Sequence, residues 1–173
     1  MNTMFDLQQY ALQKLKDTYT EHEIKVLCSL SFCKLLHYTN IDIHLKKHEF
    51  LAKSFIDKFV QIVEELKTDK PIQYILGETE FAGIDFQLNS ETLIPRPETE
   101  ELVMWIVESG VQPGASVLDI GTGSGCIIVS LGKLLKGVRL CGVDISPAAV
   151  RQAADNARRN GVEVKFEVRD ILR

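Results

Sequence analysis

Seven residues, Asp119-Ile-Gly-Thr-Gly-Ser-Gly125, carry the clearest chemistry in the sequence. An acid sits near the end of an apolar run, glycines follow at every second position, and a helical pattern begins directly afterwards. Glycines at 121, 123 and 125 permit left-handed backbone and let a ligand approach main-chain amides closely. A helix opening at such a turn presents N–H groups to an anion. A second acid, Asp144, ends the next apolar run, nineteen residues past Gly125. A carboxylate there can accept both ribose hydroxyl hydrogens of an adenosine. A third, Asp170, ends the run after that, where an adenine amino group can lie.

The glycine spacing separates two classes of ligand. It is G-x-G-x-G, not the G-x-G-x-x-G of dinucleotide sites, which sets an NAD-dependent dehydrogenase far behind. A dinucleotide offers a pyrophosphate to the helix N-terminus. S-adenosylmethionine offers instead a carboxylate and an ammonium. The amides of Gly123, Ser124 and Gly125 suit the carboxylate, and Asp119 suits the ammonium, directly or through water. Either acid alone is an ordinary strand-end residue; Asp119, the glycine triplet and Asp144 together point to an adenosine-bearing cofactor.

These residues need a parallel sheet to hold them. Ser116–Ile120 reads as a buried strand, followed by a helix from Gly125 to Lys136 that Gly137 stops. Val138–Val143 reads as the second strand, Ser146-Pro147 caps and opens the next helix, Gly161 ends it, and Val162–Val168 is the third strand. Strand-helix alternation with short turns predicts a parallel, Rossmann-like sheet. Three strands would leave an unpaired edge and half the apolar faces bare, so the sequence reads as the first half of such a sheet, cut short at Arg173.

Before the sheet the texture differs. Phe5, Leu7, Leu12 and Leu15 predict a first helix. Thr20-Glu-His-Glu23 is a capping box opening a second helix, with Ile24, Leu27, Cys28, Leu30, Ser31 and Leu35 on one face. Leu51, Phe55, Phe59, Ile62, Val63 and Leu66 form the apolar stripe of a third. The aromatics in that stripe read as core. His44 and His48 share the i, i+4 spacing of helical zinc ligands, but the segment reads as a loop and no acid completes the pattern; surface histidines and no metal site are expected. From Pro71 to Pro97 a linker with its own hairpin is predicted, turning at Ala82-Gly83. Pro97 with Glu98, Glu100 and Glu101 then starts a helix that Gly110 ends. The expected domains are a helical domain (1–70), the linker (71–97) and the incomplete sheet domain (98–173).

Bulk properties weigh against several functions. The net charge is −4, with ten Lys/Arg against fourteen Asp/Glu in residues 1–95 and ten against ten in 96–173. Neither part has the basic excess that grips a nucleic-acid backbone. Cys28, Cys33, Cys126 and Cys141 form no ligand-spaced cluster and read as unpaired thiols, with Cys126 and Cys141 in apolar runs. No signal peptide or membrane-length apolar run is present, so a cytoplasmic protein is expected.

Four segments taken together, Pro71-Ile-Gln-Tyr-Ile-Leu-Gly77, Phe81-Ala-Gly83, Leu93-Ile-Pro-Arg-Pro-Glu-Thr-Glu100 and Leu118-Asp-Ile-Gly-Thr-Gly-Ser-Gly-Cys-Ile127, resemble the HemK/PrmC family of release-factor glutamine N5-methyltransferases. The Ile94–Glu100 stretch is more specific than the glycine motif, which many methyltransferases share. The resemblance implies methyl transfer from S-adenosylmethionine to the glutamine amide of the Gly-Gly-Gln loop of peptide-chain release factors. It implies a helical substrate-recognition domain and cofactor contacts at Gly121, Thr122, Gly123, Ser124 and Gly125. It also implies Asp144 on the ribose, and Asp170 and Ile171 beside the adenine. Many family members carry an aromatic where Ile171 stands. Pro95, Arg96 and Pro97 are implied to line the approach to the site. The family's catalytic Asn-Pro-Pro-Tyr follows the fourth strand and does not occur in these 173 residues, so no catalytic residue is assigned and the chain alone is expected to be inactive. Two other functions compete: an exocyclic-amine methyltransferase of nucleic acids, which the charge balance disfavours, and a non-catalytic docking module for a release factor.

Overall fold

The computed structural model describes residues 1–172; Arg173, the last residue of the expected sheet domain, lies outside the described residues. The chain divides into two compact units, Met1–Leu76 and Gly77–Arg173.

The first unit is wholly helical: α1 (Met4–Leu15), α2 (Glu21–Leu36), α3 (Asn40–Leu45), α4 (Lys53–Leu66) and α5 (Ile72–Leu76). Threonine opens three of them. Thr3, Thr20 and Thr39 each cap through a reciprocal box with Asp6, Glu23 and Asp42, satisfying amide hydrogens that the first turn leaves free. The core is the aromatic stripe of α4 against α1 and α2. Phe59 stacks on Phe32 at 5.0 Å between ring centroids, and Leu7, Ala11, Leu15, Ile24 and Cys28 close around them. Burial pushes the Cys28 thiol up to about 12.

Several expectations for this unit need correction. On α2 the buried face is Ile24, Cys28, Ser31 and Phe32, while Leu30 is exposed. At about 100° per residue, Leu30 lies well round the helix from Ile24. Leu51 precedes α4 and is not part of it. The segment around His44 is a helix, α3, rather than a loop, because the Thr39–Asp42 box nucleates it. All four histidines are exposed, and the His48 ring lies tilted against Phe5 with centroids 5.3 Å apart.

The second unit opens with an antiparallel hairpin, β1 (Glu78–Phe81) and β2 (Ile84–Gln87). Ala82 and Gly83 form its two-residue loop with φ of 51° and 72°, both positive as a type I′ turn requires. After it come α6 (Pro97–Glu108), β3 (Ser116–Ile120), α7 (Cys126–Leu134), β4 (Arg139–Asp144), α8 (Pro147–Arg159) and β5 (Lys165–Val168). β3, β4 and β5 form a parallel sheet in that order. The fold is therefore mixed α/β, with N-terminal helices, a small hairpin and a parallel three-stranded sheet.

The segment expected as linker is split by packing. Ile72–Leu76 is helical and packs in the first unit's core. The hairpin instead buries Phe81 and Phe86 in the sheet unit's core, with Val103, Ile128 and Val129. β3 is not the buried strand expected. Its side chains alternate between faces, and Leu118 and Ile120 are 57% and 54% exposed. β5 begins at Lys165, since Val162 and Val164 pack on the core without joining the ladder. α7 ends at Leu134, because Leu135 is already extended. Cys126 and Cys141, although in apolar runs, are only half-buried, and burial pushes the Cys126 thiol up to about 11.

Candidate functional site

Parallel strands place their C-terminal ends on one edge, where open α/β sheets bind ligands. β3 delivers Asp119 to this edge and β4 delivers Asp144. Asp170 follows just past β5. The Arg169 amide donates to the Asp144 carbonyl at 2.9 Å, drawing the acid-bearing segment after β5 towards the end of β4.

Between β3 and α7 runs the glycine turn, wired to β4. The amides of Gly121 and Thr122 both donate to the Val143 carbonyl, at 2.8 and 3.0 Å. The Thr122 hydroxyl donates to the Asp119 carboxylate at 2.7 Å. Gly123 N–H donates to Asp144 Oδ2 at 2.9 Å, and Asp144 Oδ1 accepts from Ser146 N–H at 2.9 Å. Gly125 N–H closes the turn on the Thr122 carbonyl at 2.8 Å.

Two of the amides expected to face a ligand carboxylate are thus already engaged. Gly123 is held by Asp144 and Gly125 by Thr122. The turn must hold its own shape before it can hold a ligand, and these two hydrogens go to that purpose. Ser124 keeps its amide as the candidate donor. Its hydroxyl is buried with no oxygen or nitrogen partner among the described residues, the Cys126 thiol beside it being a weak one.

The glycines differ in role. A Cβ on Gly121 (φ +75°) meets nothing within 4 Å, and one on Gly123 (φ +55°) meets only the Gly121 carbonyl at 3.9 Å. Those positions border open space that a ligand can fill. A Cβ on Gly125 would lie 3.0 Å from the Ala153 Cβ. That glycine is there for packing against α8.

The electrostatics favour a cation. Burial raises the Asp119 carboxyl above its ordinary value, and the Asp144 charge adds to this. Hydrogen bonds from the Thr122 side chain and the Ile128 backbone work the other way. A positive group beside Asp119 would relieve that burden. Each Asp144 oxygen accepts one backbone hydrogen and retains capacity for a hydroxyl. Asp170 Oδ1 accepts from the Leu172 amide at 2.9 Å, and Ile171 is 53% exposed. Arg96 caps α6 with extended backbone ahead of Pro97 and is exposed. Among the described residues, no hydrogen bond or ion pair joins it to the turn.

One residue escaped the sequence reading. Asn156 on α8 is completely buried and donates to the Ser124 carbonyl at 2.9 Å. Its signal was a lone amide in the apolar stripe of Ala149, Ala153 and Ala157.

Residues 97–172, which contain the turn and all three acids, match the family model of ribosomal protein L11 methyltransferase (PrmA). Residues 6–77 match the PrmC N-terminal domain. The release factor glutamine methyltransferase of Flavobacterium psychrophilum is 38% identical over 165 residues, covering 93% of this chain and 58% of that protein. Its counterpart in Bacteroides thetaiotaomicron is 39% identical over 164 residues, covering 94% and 58%. The chain is similar to the release factor glutamine methyltransferases over nearly all of its length. It spans about 58% of the length of these two curated relatives. Among solved structures, Pyrococcus abyssi tRNA (uracil-54, C5)-methyltransferase in complex with S-adenosyl-L-homocysteine overlaps with a TM-score of 0.46 at 23% identity. That overlap covers 54% of this chain and 23% of that one. Ribosomal protein L11 methylase from Lactobacillus delbrueckii subsp. bulgaricus gives 0.38 at 30% identity, over 44% and 40%. The similarity extends beyond the glycine turn, since the helical unit carries its own match to the PrmC N-terminal domain. Among the described residues, no helix is long and apolar enough to cross a membrane.

Proposed function

We propose that the edge formed by Asp119, the Gly121–Gly125 turn and Asp144 holds S-adenosylmethionine, and that the protein serves the methylation of release-factor glutamine. One observation carries the cofactor reading: two carboxylates on neighbouring strand ends flank a turn whose Gly121 and Gly123 border open space. When bound, the cofactor supplies an electrophilic methyl group on a sulfonium. Asp144 holds the ribose hydroxyls. Asp119 balances the ammonium, and the Ser124 amide meets the carboxylate. Asp170 and Ile171 take the adenine edge and face.

The substrate reading rests on kinship along the chain. A glutamine amide nitrogen is a weak nucleophile, because its lone pair is delocalised into the carbonyl, so its methylation depends on positioning. The helical unit is the recognition element in this reading, and Pro95, Arg96 and Pro97 line the approach. The setting is the cytoplasm, where release factors act.

Calorimetry with S-adenosylhomocysteine tests the cofactor site, and saturable binding is expected. The substrate class is tested by titrating a purified release factor, and separately tRNA, onto the loaded chain. Binding of release factor but not tRNA is expected. The reverse preference would favour a nucleic-acid methyltransferase.

A further inference from the structure

We infer that Asn156 is a positioning residue for the cofactor turn, fixing Ser124 and the hairpin to α8 through one side chain. The inference rests on reading the turn as the S-adenosylmethionine site.

The geometry is specific. Asn156 Oδ1 accepts from Gln87 N–H at 2.8 Å, while its Nδ2 donates to the Gln87 carbonyl at 3.0 Å and to the Ser124 carbonyl at 2.9 Å. The side chain therefore meets both backbone groups of Gln87, as a residue in a facing strand would. Its remaining hydrogen goes to the turn. The orientation of the amide follows from its partners, since a flip would set the NH2 group against the Gln87 N–H.

An amide in a stripe of alanines is desolvated, and such a group persists where its hydrogen bonds are made. Here all three are made, two to β2 and one to the cofactor turn. Ser124 lies between Gly123, held by Asp144, and Gly125, packed on Ala153 one turn before Asn156. α8 thus locates the turn at two adjacent points. Removing Asn156 frees the Ser124 carbonyl, and with it the peptide plane that leads into Gly125.

Two further side chains tie this part of the chain to α8 and its C-cap. Asn160 donates to the Asp85 carbonyl at 3.1 Å and to the Asn156 carbonyl at 3.0 Å, and Asn89, just after β2, donates to Gln152 at 2.7 Å. None of these bonds reaches the turn. The Asn89–Gln152 bond touches neither Asn156 nor Ser124 and provides the control: an Asn89→Ala variant loosens the end of the hairpin and leaves the Ser124 bond in place.

Three measurements test the inference. In calorimetry, Asn156→Ala is expected to weaken S-adenosylhomocysteine binding about tenfold, or about 1.4 kcal/mol, while the control stays within about twofold of the parent. In amide exchange, Asn156→Ala accelerates Gln87 and Gly125 together, whereas the control accelerates hairpin amides alone. In the unaltered chain, saturating S-adenosylhomocysteine slows exchange at Gln87, a residue of the hairpin. The last measurement stands even if Asn156→Ala fails to fold, and an unchanged Gln87 amide would then overturn the inference. A folded Asn156→Ala variant with parental affinity would overturn it too, as would a control that loses as much affinity as Asn156→Ala. If the unaltered chain does not bind the ligand, the cofactor reading falls and the inference falls with it.

Discussion

Gly125→Ala should unfold the sheet unit far more readily than Gly121→Ala, although both glycines belong to one motif. At Gly125 the backbone has φ +80°, and an added Cβ would stand 3.0 Å from the Ala153 Cβ and 3.1 Å from its Cα. Left-handed backbone costs an ordinary residue about 1–2 kcal/mol. Overpacking a filled site adds about 1–3 kcal/mol. The opposing atoms belong to the backbone and first carbon of α8, so no side chain can swing aside. About 3 kcal/mol in total corresponds to a melting point lower by roughly 12–24 °C for a unit of this size. At Gly121 (φ +75°) the same methyl meets nothing within 4 Å. Only the conformational cost of about 1–2 kcal/mol remains, a fall of roughly 4–16 °C. That methyl does, however, stand in the space assigned to the ligand, so Gly121→Ala should lose S-adenosylhomocysteine binding while remaining folded. Scanning calorimetry, with amide exchange in α7 and α8 to assign the transition, measures both. Equal melting points for the two variants would refute the division of roles.

Three other outcomes are expected. Ala82→Gly should raise the sheet unit's melting point by roughly 2–4 °C, because Ala82 occupies φ 51° at a type I′ position that glycine adopts freely; thermal melting checks it. Asp119 has a folded-state pKa raised from 3.8, so its contribution is fully present below that value and is lost as pH rises through the folded one. Asp119→Asn should therefore stabilise the unit at pH 7 and do so less at pH 3, as melts across pH will show. Asp42 has the opposite sign: capping by Thr39 and pairing with Lys46 lower its carboxyl to about 2. Its contribution is present above 3.8 and fades as pH falls towards about 2, and Asp42→Asn should flatten that part of the helical unit's acid unfolding curve.

What could be read from the sequence was chemistry acting over a few residues. The Thr20–Glu23 box, the Ala82-Gly83 turn and the Ser146-Pro147 helix start all depend on near neighbours, and all form as expected. α3 was missed because Ile41 and Leu45 are exposed and set up no apolar stripe. The helix stands instead on its Thr39–Asp42 cap. The hairpin's place in the sheet unit was hidden because Phe81 and Phe86 find partners in elements far along the chain. The acids and glycines of the site were legible by type and spacing. Their wiring was not, since Gly123 meets Asp144 across 21 residues and Gln87 meets Asn156 across 69. No local pattern reports which amide a distant carboxylate has already taken.

Whether these strand ends hold an adenosine-bearing sulfur cofactor is decided by isothermal titration of the chain with S-adenosylhomocysteine, beside its Asp144→Asn variant. Saturable binding near one ligand per chain is expected, weakened at least about tenfold in the variant, which retains only one carbonyl oxygen for the Gly123 and Ser146 amides and the ribose. No binding by the parent chain, or equal binding by both, would contradict it.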